Sequence, residues 1–252
     1  MVVRPDCPKS NSRLTRRRDF IAFATASAAS VCSGQGCVPG SNDSEVELVW
    51  GRRGQSPGRF LKPRAITIDR DDQLYIVDTT GRIQVFDRNG QWIRQWKTPQ
   101  TKNGRPTGLA IKRGKRPDDD LLLVADTHYY RMLVYGLDGE RKTDLEIGGT
   151  AGRNPGEFAF VTDAVADESG CFYIGEYGDS DRIQKFDPQG RFITQWGGTG
   201  RENEKFVRPQ SLVIANDVLW IADACNPRIQ RYEISQPTPQ WIDVIGGQGP
   251  VS

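Results

Sequence analysis

The amino-acid sequence predicts an all-β fold, a β-propeller of four-stranded blades, on three observations. A diglycine recurs at a constant spacing of 49 residues, as Gly148-Gly149, Gly197-Gly198 and Gly246-Gly247. An Arg-led strand occurs four times, as Arg82 to Phe86, Arg131 to Tyr135, Arg182 to Phe186 and Arg228 to Tyr232. Short runs rich in Ile, Val, Phe, Tyr and Trp lie between these landmarks, broken by turn residues. Self-similarity at such a period, with four short strands in each period, is the signature of successive propeller blades.

The repeat divides the chain into units at about 52–100, 101–149, 150–198 and 199–247. Each unit opens on a Gly-rich loop that ends in an aromatic, as in Gly54 to Phe60, Arg153 to Phe158 and the run to Phe206. A first strand follows: Ala65 to Ile68, Leu109 to Ile111, Ala164 to Ala166 or Leu212 to Ile214. An acidic or Asn-containing turn leads to a second strand that ends on an acid, at Asp78, Asp126, Glu176 or Asp223. The Arg-led third strand comes next. In the third unit Asp187-Pro188 opens the turn that leaves it, and Gly190 supplies the positive φ that closes that turn. A fourth strand ends in Trp-Gly or Ile-Gly. Alternation along the strands is loose, as expected when neighbouring blades cover both faces of a sheet.

These parts resemble the NHL-repeat family of β-propellers. The resemblance rests on the Gly-x-Phe-x-x-Pro loop, the strand ending in Asp, and Arg-Ile-Gln-x-Phe-Asp-x-x-Gly leading to Trp-Gly, and it covers residues 47–247. Unit two keeps only Pro106 of the loop. Unit three has Val161 at the proline position and Glu176 at the Asp position. Unit four has Gln236 at the turn glycine and a longer loop, Ser235 to Gln240. The family implies a six-bladed, TolB-like ring, whereas four blades are encoded whole. Glu45 to Gly51 reads as a lone fourth strand of the kind that completes a blade begun elsewhere. The expectation is an open arc, or a strained small ring, with an exposed edge at one end, a pairing liability that a shortened gene product or a partner supplying strands would account for.

The net charge of +2 hides an asymmetry. The first 38 residues carry a net +4, from six basic and two acidic side chains, which leaves −2 for the rest. A body of that charge has no electrostatic footprint for nucleic acid. A composition of 37% hydrophobic and 26% charged residues excludes wholesale disorder. Of five cysteines, Cys7, Cys32 and Cys37 lie in the leader, and Cys171 and Cys225 have no CxxC spacing. They read as small buried residues, and a bridge between them would need an oxidising compartment.

Residues 1–31 have the layout of an export leader, a basic segment followed by an Ala-rich run too short to span a bilayer. Arg17, Arg18, Phe20 and Ile21 resemble the twin-arginine motif, with Arg16 where that motif carries Ser or Thr. Ala29-Ser30-Val31-Cys32 is similar to a lipoprotein processing site, which makes Cys32 a lipidation candidate and the N-terminus a candidate membrane tether. Residues 32–44, rich in Ser, Gly and Pro, read as a flexible tether ahead of the propeller at 45–252. The expected location is periplasmic or at the cell surface.

Catalytic signatures are sparse. The acid-to-Arg element, Asp78/Arg82, Asp126/Arg131, Glu176/Arg182 and Asp223/Arg228, reads as a strand-to-strand staple, because a scaffold element is iterated and a site is singular. His128 is the single histidine and reads as part of a solvent-facing loop. The peptide-amidating propellers use several histidines around a metal, which one histidine does not supply. Asp118 to Asp120 reads as a solvated turn rather than a calcium loop. No metal site, cofactor or catalytic residue is therefore assigned.

Candidate binding residues lie over the channel mouth, in the loops that lead into the innermost strands: Arg64, Thr107, Thr162, Asp163, Gln210 and Ser211. Tyr129, Tyr130 and Tyr177, with Asp179 and Asp181, depart from the blade pattern and suit peptide or glycan contact. The expected function is an exported, non-catalytic scaffold that binds protein, peptide or glycan. The alternatives are a small-ligand sensor and a calcium-dependent hydrolase or lyase of the strictosidine synthase-like or lactonase-like kind. In the enzymatic case Asp163 would be the first calcium ligand.

Overall fold

The structure, a computed structural model, describes residues 48–178 and 180–247. The leader, the tether, Cys32 and Asp179 lie outside the described residues. A short parallel pair, β1 (Arg52–Arg53) and β2 (Arg59–Phe60), precedes four antiparallel sheets whose strands pair in sequence order. Blade 1 is β3 (Pro63–Ile68), β4 (Leu74–Asp78), β5 (Arg82–Phe86) and β6 (Trp92–Lys97). Blade 2 is β7 (Gly108–Lys112), β8 (Leu121–Asp126), β9 (Arg131–Gly136) and the two-residue β10 (Ile147–Gly148). Blade 3 is β11 (Phe160–Ala166), β12 (Phe172–Tyr177), β13 (Arg182–Phe186) and β14 (Phe192–Gly197). Blade 4 is β15 (Pro209–Ala215), β16 (Val218–Asp223), β17 (Arg228–Glu233) and β18 (Gln240–Gly246).

Local chemistry fixes the hairpins. Asp187 Oδ1 accepts the amides of Gln189 and Arg191, and Asp87 Oδ1 does the same for Asn89 and Gln91. At the turns between first and second strands, Asp69 and Asp167 hold the loop and also accept the hydroxyls of Tyr75 and Tyr173. One carboxylate thus ties a turn to a core aromatic in each case.

The core lies between blades rather than inside any one of them. Tyr75, Val77, Ile83 and Val85 of blade 1 meet Leu109, Leu122, Val124, Leu133 and Tyr135 of blade 2. Leu123, Met132 and Ile147 of blade 2 meet Phe158, Val161, Phe172 and Phe186 on the blade 3 side. Tyr173 and Ile183 of blade 3 meet Phe206, Leu212, Leu219 and Tyr232 on the blade 4 side. Each such side chain contributes about 1.5–3 kcal/mol through burial, so the interfaces hold the assembly together.

The innermost strands pack in series, β3 on β7, β7 on β11, and β11 on β15. The ring is open. Blade 1 presents Ile66 (60% exposed) and Ile68 (49%) outward, and blade 4 presents Val213 (56%) and Ile245 (45%).

Leu48 to Gly51 forms no strand, which corrects that part of the reading of Glu45 to Gly51 as a lone fourth strand, and residues 45–47 lie outside the described residues. A strand needs a partner to pair with, and none lies beside it among the described residues. Trp50 nevertheless packs on Phe86 with ring centroids 4.7 Å apart, and a Cβ at Gly90 would lie 2.4 Å from its indole. Trp96 of blade 1 packs on Tyr135 of blade 2, at 5.8 Å, in the same way. Trp50 therefore occupies the place a preceding blade would fill.

Candidate functional site

The four acid–arginine pairs lie on the face of the arc that carries the loops from second to third strands, called here the upper face. Asp78 and Arg82 are both buried and pair at 2.9 Å. The guanidinium of Arg82 also donates to the carbonyls of Gln55 and Arg59 in the preceding Gly-x-Phe loop. Arg182 donates to Arg153 O and Glu157 O, and Arg228 to Arg201 O, Glu202 O and Lys205 O. Gln84, Gln184 and Gln230 clasp the same three loops. The acids complete the closure by accepting Leu61 N, Ala159 N and Val207 N. Burial by itself would raise the Asp78 carboxyl, but hydrogen bonds from Thr80, Arg82 and Leu61 hold it below the usual carboxylate range. The pairs are loop clasps.

Blade 2 breaks the pattern. Its third strand carries Leu133 in place of the clasping glutamine, and no Gly-x-Phe loop lies over its pair. Arg131 donates Nε to Asp126 and a terminal nitrogen to Gln100 Oε1, and it stacks on Tyr129 at 5.4 Å. Asp126 is fully buried, and its Oδ1 has no hydrogen-bond partner. Burial raises its carboxyl to about 6, against the favourable charge of Arg131.

The residues singled out at the innermost strands occupy one structural position. Register shifts fall between Pro63 and Ala65, Val161 and Asp163, and Pro209 and Ser211, so Arg64, Thr162 and Gln210 are bulge residues. Thr107 directly precedes β7. The structure uses several of them to join blades. Thr107 Oγ1 donates to Thr162 O, and Thr162 Oγ1 donates to Pro209 O. Asp163 accepts Ala164 N on one oxygen, and Leu212 N and Ser211 Oγ on the other. Both its oxygens are engaged, and no group of three or more His, Cys, Asp or Glu converges among the described residues. These donors do not fit a calcium site.

Burial pushes the Asp163 carboxyl up to about 6, against hydrogen bonds from Leu212, Ala164 and Ser211 that favour its charged form. The folded-state pKa is raised above the unfolded value, so ionisation of this group costs stability. That cost is absent below about pH 4 and complete above about pH 6, and stability from Asp163 falls as pH rises through this window. A carbon-detected NMR titration of Asp163 is expected to show a midpoint near 6, and a midpoint in the ordinary carboxylate range would contradict it.

Other sites also differ from the sequence reading. His128 is half-buried rather than solvent-facing, lying edge-on to Phe160 at 5.4 Å, and its Nδ1 has no partner. Burial, then Arg64 and Arg105, lowers its pKa. Tyr130 takes the left-handed conformation (φ 58°) and is half-buried, packing on the core between blades 2 and 3. Asp181 is buried and accepts Thr199 Oγ1 and Arg208 N. Asp120 is buried as well, held by Arg70 Nε at 2.7 Å across blades 1 and 2, and is not part of a solvated turn. Cys171 and Cys225 are half-buried. The longer loop of unit four covers the buried Lys185, whose Nζ donates to Gln236 O and Pro237 O.

What remains free is an aromatic and cationic cluster on the upper face. Tyr177 lies 5.2 Å from Phe160, and the exposed Arg208 sits 4.8 Å over the Tyr177 ring. His128 continues the row from Phe160, and Arg64 stands exposed near it. Tyr129 accepts Asn103 N at its hydroxyl and lies beside Arg131. Sequence reasoning found Tyr177, Tyr129 and Arg64 but missed Phe160 and Arg208, which stand at the variable position just before the proline position of the Gly-x-Phe-x-x-Pro loop. The cluster suits an extended ligand with acidic and apolar groups.

Four antiparallel blades packed in series form a β-propeller, and their arginine clasps on Gly-x-Phe loops are consistent with blades of the NHL type, as are likenesses to known proteins. NHL repeat-containing protein 3 of Mus musculus is 29% identical over 96 residues, 37% of this chain and 26% of that protein. Peptidyl-glycine alpha-amidating monooxygenase B of Xenopus laevis is 33% identical over 135 residues, 50% of this chain and 15% of that protein. The Rattus norvegicus peptidylglycine alpha-amidating monooxygenase is 34% identical over 89 residues, 32% of this chain and 9% of the enzyme. The chain thus spans about a quarter or less of the length of these relatives. A Bacteroides caccae protein of unknown function shares the fold, with a TM-score of 0.50 at 10% identity over 73% of this chain and 60% of its own. No family model matches the chain.

Proposed function

We propose that this chain is an exported, non-catalytic NHL-type propeller that serves as a binding scaffold for protein or peptide. The observation that carries the reading is the row His128, Phe160, Tyr177 and Arg208, in which rings and a guanidinium stack on the upper face without clasping any loop. The cationic surroundings select acidic segments, and the rings select apolar ones. A displayed random-peptide library panned on the purified chain is expected to enrich acidic–aromatic sequences. Tyr177→Ala with Arg208→Ala is expected to abolish that enrichment, and enrichment that survives both changes would count against the site.

Export rests on the basic leader and the Arg17-Arg18 pair. Arg17→Lys with Arg18→Lys is expected to retain the full-length chain in the cytoplasm of an expressing bacterium. Unchanged fractionation removes the twin-arginine reading.

The enzymatic alternative, a hydrolase or lyase, draws on one observation, the likeness to enzymes named for amidating peptidylglycine. The full engagement of Asp163 weighs against calcium in the channel. A calcium-dependent rise in melting temperature of the purified chain would favour the alternative over the scaffold.

A further inference from the structure

Three interfaces inside the chain show what covers each face of a blade. The leading face, turned to the preceding blade, presents a first-strand side chain that is buried as Leu109, Ala164 and Leu212 in blades 2, 3 and 4. The trailing face, turned to the following blade, presents a third-strand side chain that is fully buried as Ile83, Met132 and Ile183 in blades 1, 2 and 3. One face of each kind lacks a cover among the described residues. On the leading face of blade 1, Ile66 is 60% exposed where its counterpart Leu212 is 2% exposed. It borders a groove of about 410 Å³ that Trp50, Phe60 and Ile76 also line. On the trailing face of blade 4, Ile229 and Ile245 are exposed, and Val213 is 56% exposed where its counterpart Val165 is 8% exposed.

Polar contacts follow the same rule. A cation on the trailing face reaches carbonyls in the next blade's turn from third to fourth strand. Arg94 donates to Leu137 O, and Lys185 to Gln236 O and Pro237 O. Arg231 stands over Trp220 as Lys185 stands over Tyr173, but it donates to Asp243 of its own sheet. The seat of the fourth strand also recurs. Trp96 lies against Gly139 and Ile147 against Gly190, each a turn glycine of the next blade, and Trp50 lies against Gly90 of blade 1. Ile245 holds that place in blade 4, opposite Ile229 as Ile147 is opposite Met132.

We infer that the chain associates with itself head to tail, the trailing face of blade 4 in one copy covering the leading face of blade 1 in the next, with Ile245 taking the seat of Trp50. Val213 and Ile229 then lie on Ile66 and Ile76, as Val165 and Ile183 lie with Leu212 and Ile221 inside the chain. Arg231 reaches the turn at Asp87 to Gly90. The gain is the one the internal interfaces already make, the removal of two aliphatic sheet faces from water. The contact is heterologous, so each copy keeps a free face and growth continues until a ring closes. The inference goes beyond the scaffold reading and makes no use of the Tyr177 row.

Sedimentation of the purified full chain is expected to show a weight-average mass that rises between about 1 and 100 μM. Ile66→Asp and Val213→Asp each alter a side chain that is exposed in the single copy, and each variant alone is expected to stay monomeric. Mixed in equal amounts they are expected to form a dimer of one copy of each, because one retains the blade 4 face and the other the blade 1 face. Trp50→Ala empties the seat and is expected to move the onset of association to about tenfold lower concentration. A single-copy mass throughout the range overturns the inference. Self-association of either aspartate variant at the level of the unaltered chain overturns it as well, as does a mixture that stays monomeric. So does an unmoved onset in Trp50→Ala, because Ile245 would then not share the seat. Loss of peptide enrichment at the Tyr177 row with association intact would remove the scaffold reading alone.

Discussion

Glu176→Ala is expected to lower stability by about 3–5 kcal/mol, read as a shift of the urea midpoint at unchanged slope. Glu176 is fully buried and accepts Ala159 N, Arg182 Nε and Gln184 Nε2. Its removal leaves a buried guanidinium without its counter-ion and frees the loop amide that the carboxylate holds. Loss of one partner of such a pair costs far more than replacement of both, because the surviving charge remains desolvated. Asp126→Ala is the internal control. Asp126 has one oxygen already unpartnered, no loop to hold, and a carboxyl raised to about 6, so its removal is expected to cost less than half as much. Equal costs at the two positions would show that the clasped loop adds nothing to the pair.

Phe206→Ala is expected to cost about 3–5 kcal/mol, through lost transfer energy and the cavity left behind. Phe206 is fully buried in the core shared by blades 3 and 4, and its ring lies 6.3 Å from Tyr232. Gly197 lets the ring approach: its φ is +109°, and a Cβ there would stand 2.7 Å from the phenylalanine. The site has little freedom to collapse, because the backbone on both sides is bonded, Phe206 N to Gly198 O and Gly200 N to Phe206 O. A melting temperature unchanged in Phe206→Ala would mean that the loop aromatic is dispensable.

What was legible in the sequence was whatever the chain repeats. The Arg-led strand, the acid before it and the diglycine after it announce themselves because the same packing problem is solved four times. The structural role of Asp78, Glu176 and Asp223 followed from that repetition. Contacts between residues of different units left no such mark. Asp120 resembles a solvated turn until Arg70, fifty positions earlier in the chain, is placed against it. His128 resembles a surface loop until Phe160 of the next blade lies under it. Thr107, Thr162 and Asp163 were found by position, but their task of joining neighbouring blades depends on bulges that no local pattern reveals. Phe160 and Arg208 stand at the variable position just before the loop's proline position, where the repeat fixes no residue type, so nothing in the pattern marked them.

The seriality of the three interfaces has a thermodynamic corollary. Among the described residues, blades 2 and 3 are each sandwiched, whereas the core clusters give blades 1 and 4 one neighbour each. The stability of such an array is a sum over adjacent pairs, so unfolding proceeds inward from its two extremities like unzipping from loose ends. Trp50 and Phe60 sit as a stopper on one extremity, and blade 4 has no counterpart to it among the described residues. The last blade is thus the place where amide protons exchange first.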